Sequence, residues 1–377
     1  MKRILFSIPY LKIGGIERSL IELLNVLPLK EYEVHLAIFN PDIIYLSSIP
    51  EEVHIHQISR PGKDILLSLM KSFHWIEACI FFCMWIYGRL FHDNNSFFRY
   101  KYRNEPDFMG GTAFDLAVAY HGSFEECCFY AFQKVKSRVK CIWIHHDVSQ
   151  VNFHYEMMMR YRHDLSKVFL PCMESKKRFD KKYPCLKEKS DVFRNIIPVH
   201  RILKMAETGK TFNDNFDGKR ILTVGRFRLV KGQYQAIKVL KILLERGFNV
   251  KWYFVGEGKD KKCCQQLARK IGVNQSVVFL GSDANPYGYM RNCDVYVQPS
   301  LHESFCITLG EALCFGNPIV CTNFCGVDQM KGRSNGHVTG FSVEAIADGI
   351  EEALNDKKIE VSPVQTVPDM DILLSLI

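Results

Sequence analysis

Residues Arg220 to Gly232 read Arg-Ile-Leu-Thr-Val-Gly-Arg-Phe-Arg-Leu-Val-Lys-Gly. An apolar run closes on Gly225-Arg226. Lys231-Gly232 then leads into a stretch where Ile237, Leu240, Leu243 and Leu244 recur at helical spacing, with Gly247 in place to end the helix. The reading is a strand, a glycine turn and a helix. An arginine and a lysine five apart at a strand's carboxyl end suit a phosphate clamp. Arginine offers a planar fork of donors, lysine a mobile point charge, and a helix N-terminus adds partial positive charge. Alone, the same residues also fit a solvated basic loop.

The pattern repeats in both directions. Short apolar runs fall at residues 3–8, 34–39, 53–58, 114–119, 139–144 and 168–170, and again at 220–224, 250–255, 277–280, 294–298 and 318–321. Most lack clean alternation, as strands buried on both faces of a parallel sheet do. Helical patterns between them predict an α/β chain with parallel sheets. At roughly 150 residues per domain the length allows two or three domains. Residues 199–218 hold Thr208-Gly209-Lys210, Asn213-Asp214-Asn215 and Asp217-Gly218, which reads as a linker. The predicted division is a first Rossmann-like, acceptor-binding domain at 1–198, a hinge at 199–218, a second, donor-binding domain at 219–355, and a short segment at 356–377 that could cross back to the first. A ligand is expected between the two, facing the carboxyl ends of both sheets.

Composition excludes several classes. Apolar residues are 47% and charged residues 24%, so the chain is neither disordered nor fibrous. The net charge of +8 is too mild for a dedicated nucleic-acid binder but favours anionic phosphates or an anionic membrane. The 14 cysteines include no Cys-x-x-Cys, and no histidine or cysteine pair completes a zinc site around Cys314, Cys321 and Cys325. No metal is expected, and reduced thiols in a cytosol are the simpler reading. Lys2 and Arg3 precede an apolar run too short for a secretory signal, so a cytoplasmic protein is expected. Within the segment 65–103, residues 65–91 are rich in Leu, Phe, Trp, Ile and Met, yet their longest uncharged run, Ala78 to Gly88, is too short to span a bilayer. Lys71, His74, Glu77, Arg89 and His92 gather on one helical side, and Arg99, Lys101 and Arg103 alternate with Tyr100 and Tyr102. This suits contact with an anionic membrane surface, with a buried helix as the rival reading.

A second motif, Glu303-Ser-Phe-Cys-Ile-Thr-Leu-Gly-Glu311, places two glutamates eight apart around a helix start. Carboxylates suit the vicinal hydroxyls of a sugar or ribose. Taken in order, Val224-Gly225-Arg226, Lys231-Gly232, Val255-Gly256-Glu257-Gly258, Asn285-Pro286-Tyr287, Asp294 to Ser300 and Glu303 to Glu311 closely resemble the retaining glycosyltransferases of family 4, over roughly residues 219–330. Gly14-Gly15-Ile16-Glu17-Arg18, Trp143-Ile144-His145-His146-Asp147 and Phe193-Arg194-Asn195 extend a weaker likeness into the first half.

The resemblance implies the GT-B fold, two Rossmann-like doubly wound domains facing each other across a cleft. It implies transfer of a sugar from a UDP- or GDP-sugar to a glycan or lipid-linked acceptor, with retention of anomeric configuration. Such an enzyme would assemble surface polysaccharide or capsule on the inner face of the cell membrane, with no nucleic-acid partner. Arg226 and Lys231 would hold the donor diphosphate, and Glu311 the ribose. Glu303 would contact the transferred sugar, with Phe305, Cys306 and Ile307 beside it on the donor side. Gly15 would let backbone approach the donor phosphate, and His145, with His146 as rival, would touch the sugar from the acceptor side. Arg226, Lys231, Glu303 and His145 are thus the expected catalytic group, with no cofactor and no metal. The sole Asp-x-Asp, at Asp369-Met370-Asp371, reads as chance. Ser304 and Cys306 depart from the family's pattern, which has Gly at the first position and Gly or Pro at the second. Four alternatives fit less well. A glycosidase using Glu303 and Glu311 conflicts with the basic clamp. A same-fold sugar-nucleotide epimerase would need no acceptor. A non-catalytic partner subunit conflicts with an intact donor motif. A nicotinamide dehydrogenase lacks its third glycine.

Overall fold

The computed structural model describes residues 1–11, 14–40, 46–58, 75–91, 94–103, 107–148, 155–361 and 370–377. Within these lie two parallel sheets. The first holds β1 (Lys2–Ile8), β2 (Tyr32–Ile38), β3 (His54–Gln57), β4 (Phe114–Ala119), β5 (Ser137–Trp143), β6 (Lys167–Leu170) and β7 (Ser190–Val192), in the order β3-β2-β1-β4-β5-β6-β7. The second holds β8 (Lys219–Val224), β9 (Val250–Val255), β10 (Val277–Gly281), β11 (Val295–Gln298), β12 (Ile319–Thr322) and β13 (Gly336–Thr339), in the order β10-β9-β8-β11-β12-β13. Both are doubly wound and Rossmann-like.

Successive strand residues point to opposite faces, and here both faces are buried. In the first sheet Leu5, Ala117, Ala119 and Ile142 feed one core, while Ile4, Phe6, Val34, Leu36, Val118 and Trp143 feed the other. In the second, Leu222, Val224, Tyr253 and Tyr296 face one layer of helices, and Ile221, Trp252, Phe254 and Val297 the opposite one. A strand buried on both sides has no polar face, which is why the sequence shows runs rather than alternation. β7 and β13 escape the sequence reading because they are short outer strands with polar sequences, Ser-Asp-Val and Gly-His-Val-Thr.

Strand order reverses at β1/β4 in the first sheet and at β8/β11 in the second. At such a switch point the loops leaving the two strands diverge, and a ligand can sit at their carboxyl ends. Gly14-Gly15 follows β1, and the Arg226–Lys231 loop follows β8.

The expected linker is corrected in part. The chain divides into compact units between Ile196 and Ile197. Val199–Thr208 is a helix whose Val199, Ile202 and Ala206 are buried in the second unit's core. The polar stretch after it is also held down. Phe212 packs on Tyr253 and Tyr289, with ring centroids 4.6 and 5.3 Å away, and Asp214 accepts from Arg220 Nη2 at 3.1 Å. Gly, Asn and Asp masked an apolar stripe at helical spacing. At the other end of the chain, helix Met370–Leu374 buries Leu373 in the first unit, and Lys2 Nζ donates to the Ile377 oxygen.

Much of the region 65–103 can be placed. Helix Trp75–Phe91 turns Ala78 and Phe81 inward, with Phe81 5.1 Å from Phe97 of helix Asn95–Lys101. Trp75, Ile76, Ile80, Phe82, Trp85 and Leu90 are exposed. No helix among the described residues is long and apolar enough to cross a membrane. Lys71, His74 and His92 lie outside the described residues, as does Asp369 of the Asp-x-Asp. Lys101 and Arg103, expected to meet lipid, are instead paired with Glu126 at 2.5 Å and Glu77 at 3.3 Å.

Candidate functional site

The loop after β8 is built to present backbone and charge. Gly232 ends its short turn with φ +77, and a Cβ there would lie 1.8 Å from the Pro299 carbonyl, so only glycine fits. Helix Gln233–Glu245 starts at that point. The buried Gln233 turns its amide back to donate to the Gly225 and Arg226 carbonyls at 3.3 and 3.1 Å. Val255-Gly256-Glu257-Gly258 supports the loop from below. Cβ atoms on Gly256 and Gly258 would strike the Gly225 and Phe227 carbonyls at 2.1 and 2.2 Å. These glycines therefore serve close backbone packing. Arg226 is exposed at the rim of the loop.

Lys231 and Glu303 come together, joining the loops that leave the two switch-point strands β8 and β11. Lys231 Nζ lies 2.7 Å from both carboxylate oxygens of Glu303, whose side chain is 8% exposed. Burial pulls the lysine's pKa down, but the Glu303 charge and hydrogen bonds outweigh it and the net shift is upward. The ammonium stays charged across the physiological range.

A buried chain of hydrogen bonds holds Glu303 from behind. Tyr296 OH donates to Gln298 Oε1, Gln298 Nε2 to Ser300 Oγ, and Ser300 Oγ to Glu303 Oε1, each at 2.8 Å. Gln298 and Ser300 are almost wholly buried, so the network is dry and its geometry fixed. The sequence marked these residues as part of a strand end but not as supports. Their signal was a Gln and a Ser on an otherwise apolar strand terminus.

Cys306 precedes helix Ile307–Leu313 with φ +67, a left-handed conformation that costs a non-glycine residue about 1–2 kcal/mol. Glycine, one of the two residues the family's pattern has at that position, would adopt this backbone without that cost, whereas proline, held at a φ of about −65°, could not. Gln329 clasps the turn, its amide donating to the Phe305 carbonyl and, at 3.1 Å, to that of Gly326. Phe305 is buried beneath, and Ile307 opens the helix. The Cys306 thiol is pushed well up by burial and by Glu303, so it stays neutral. Glu311 lies inside that helix, 1% exposed, its Oε1 accepting from Tyr287 OH at 3.0 Å. Lys231, Glu303, Cys306 and Glu311 thus share one end of the second sheet. That region offers a cation with an anionic partner beside fixed oxygen acceptors, suited to an anionic and hydroxyl-rich ligand.

In the first unit Gly15 opens helix Gly15–Val26, and Glu17 is buried in its first turn. Ser19, on that helix, bonds Tyr120 OH and Asn195 Oδ1, each at 2.8 Å, tying β1's helix to the residues just after β4 and β7. His145 follows β5 and is buried. Its ring lies parallel to Trp143 with centroids 5.8 Å apart, and 4.6 Å from Tyr120. Burial, then His121 and His146, drives its pKa well below 6.5, so the ring is neutral near pH 7. His146 is less buried and also shifted down. The sequence reading passed over His121, which directly follows Tyr120 at the β4 switch point. It lies 5.5 Å from His146 and 3.1 Å from Ser123 Oγ, with its pKa pushed down to about 4 by burial first. A histidine-glycine pair just past a buried strand was its signal.

Among the described residues one group has metal-ligand spacing: Glu33, His35 and His54, at the amino-terminal part of β2 and β3. Within the first sheet it lies away from the carboxyl ends of β1, β4 and β5.

Residues 207–366 match the family model described as glycosyl transferases group 1. Over 356 residues the chain is 26% identical to N-acetylgalactosamine-N,N'-diacetylbacillosaminyl-diphospho-undecaprenol 4-alpha-N-acetylgalactosaminyltransferase of Campylobacter jejuni, covering 92% of this chain and 88% of that one. It is 32% identical over 157 residues to the capsular polysaccharide biosynthesis glycosyltransferase CapM of Staphylococcus aureus, 40% of each chain. Among solved structures, Anabaena Alr3699/HepE in complex with UDP superimposes with a TM-score of 0.65 at 17% identity, over 94% of this chain and 90% of that one. The structural likeness gives the GT-B fold. The family match and the relatives support glycosyl transfer as the activity.

Proposed function

We propose that the chain is a retaining glycosyltransferase that takes its sugar from a UDP- or GDP-sugar and needs no metal for the transfer. The observation that carries this reading is the Lys231–Glu303 pair, set at the switch point of the group 1 region beside the Arg226 loop. A donor diphosphate brings oxygens that compete with Glu303 for the Lys231 ammonium. Lys231 and Arg226 would then neutralise charge as it grows on the leaving diphosphate, in the role a divalent cation plays elsewhere. Glu303, released toward the sugar and still gripped by Ser300, would face positive charge developing at the anomeric carbon. Glu311, oriented by Tyr287, would accept from the ribose hydroxyls. In the first unit the neutral His145 would serve as a hydrogen-bonding group toward the sugar, since its depressed pKa suits it poorly to carry a proton near pH 7.

A lipid-linked glycan is the proposed acceptor. The Campylobacter relative is named for a diphospho-undecaprenol substrate, and the exposed apolar residues of helix Trp75–Phe91 suit a membrane surface. The work would then take place at the inner face of the cell membrane, in surface polysaccharide or capsule assembly.

Thermal unfolding against a panel of UDP- and GDP-sugars tests the donor site. Ligand at a hundredfold excess over its Kd stabilises the fold by about 2.7 kcal/mol. One nucleotide sugar should raise the melting temperature in the wild type and fail to do so in Lys231→Ala. Turnover in that variant should fall at least about tenfold, a loss of roughly 1.4 kcal/mol in transition-state stabilisation. Undiminished turnover by a folded Lys231→Ala protein would refute the assignment. Anomeric analysis of the product by NMR decides retention, and transfer in excess chelator decides metal independence.

A further inference from the structure

The outer strand β3 is only four residues long and pairs on one side alone, with β2, in the register His35 to His54 and Ala37 to His56. Residues two apart on a strand share a face. Glu33 and His35 on β2 therefore stand on the same face as His54 and His56 on β3. The rings confirm it: His35 lies 4.9 Å from His54 and 5.1 Å from His56, the latter stacked at 20°.

The hydrogen bonds give this cluster a direction. Arg3 Nε donates to Glu33 Oε2 at 2.9 Å and is the main cause holding that carboxyl below its ordinary range. Glu33 Oε1 lies 3.0 Å from His35 Nε2. An ionised carboxylate there accepts, so Nε2 carries the proton and Nδ1 presents its lone pair. Nδ1 points at His56 Nε2, 2.9 Å away. A carboxylate fixing one ring nitrogen so that the other is a donor to metal is the arrangement around most metal-bound histidines. Two nitrogens on a tetrahedral ion with bonds of about 2.05 Å sit roughly 3.3 Å apart, so a small opening of this pair admits one. Ligand atoms of Glu33, His35 and His54 also lie within 4.8 Å of one another. Phe108 and Phe114 wall the cluster, 5.0 Å from His56 and 5.2 Å from His35, while His54 is exposed on the open side.

We propose that His35, His54 and His56, with Glu33 orienting the His35 ring, bind one divalent transition-metal ion of the zinc class, which fastens the outer strand β3 to β2. The site is separate from glycosyl transfer and does not depend on that reading. A set of imidazoles suits zinc, cobalt or nickel over magnesium or calcium.

The test uses full-length, tag-free protein stripped with a chelator and titrated with Co2+. The expected result is one equivalent bound, with visible ligand-field absorption and no sulfur-to-cobalt charge-transfer band. Zn2+ should displace it, and Mg2+ should not. Bound metal should raise the melting temperature. His54 is exposed and His56 half-buried, so His54→Gln and His56→Gln keep the fold, and at least one should weaken binding about tenfold or more. His163→Gln, at an exposed histidine elsewhere, should bind as the wild type does. Absence of stoichiometric Co2+ binding overturns the proposal. So does a charge-transfer band, which would place the ion on cysteine, or unchanged affinity in both histidine variants. Any of these would leave the cluster as a hydrogen-bonded ladder.

Discussion

At the scale of single residues, the proposed donor site combines groups legible in the sequence with groups that are not. Lys231 is legible because charge beside glycine at a strand end has few structural uses, and Glu303 because it stands eight residues before Glu311 around a helix start. Their direct pairing is not, since 72 residues separate them and only the order of β8 and β11 brings them together. The supports were hidden for a different reason. Gln298 and Ser300 look like ordinary strand-end polar residues until their 2.8 Å chain to Glu303 is seen. Ser300→Ala removes one hydrogen bond to the carboxylate and leaves Gln298 short of a partner. Turnover should fall about three- to tenfold, about 1 kcal/mol, with nucleotide affinity unchanged. Equal losses in affinity and turnover would mean that Ser300 merely supports the fold. The buried histidines carry a pH prediction. His121 and His145 are neutral in the folded state at pH values where an unfolded chain, with pKa near 6.5, already takes up protons. The unfolded state then binds more protons, so stability present above pH 6.5 is lost as pH falls, for His121 down to about 4. Denaturant melts between pH 7.5 and 4.5 should show this loss, and His121→Gln should flatten it.

Among elements, the legible ones were those whose burial is symmetric. β4 and β9 coincide with apolar runs in the sequence because helices cover both of their faces. Helix Val199–Thr208 reads as linker from the Gly, Asn and Asp residues that follow it, yet three of its apolar residues reach the second unit's core. The short helix Met370–Leu374 is a similar case. Isolated helices of five residues do not persist in water, so this one is held by what it buries. Leu373 is fully buried among first-unit residues that include Ile4 and Leu20 on β1 and the helix after it. Leu373→Ala should cost about 2–4 kcal/mol, within the range for emptying a core leucine site. Calorimetry of the full chain should register it as a lower melting temperature, with the nucleotide-sugar shift of the remaining protein retained. A melting temperature within a degree of the wild type would show that the segment contributes little.

Over the whole molecule, charge and one apolar surface act together. The net charge is +8, and long-range attraction to an anionic surface depends on that sum more than on any one pair. Lys101 and Arg103, which the sequence offered as lipid contacts, are occupied by Glu126 and Glu77. The local basic cluster is therefore weaker than its composition suggests. What remains is the exposed Trp75, Ile76, Phe82, Trp85 and Leu90, which supply burial in the interface rather than charge. The two contributions separate by salt. Electrostatic attraction is screened over about 10 Å at 0.1 M and about 3 Å at 1 M salt, whereas apolar insertion is not. Flotation with vesicles rich in anionic lipid should carry the wild type upward at low salt and only partly at about 1 M. Ile76→Ser with Trp85→Ser should abolish the salt-resistant part and leave the low-salt part reduced but present. A wild type that stays at the bottom of the gradient at low salt would refute membrane contact. Flotation of the double variant equal to the wild type at high salt would assign the contact to another surface.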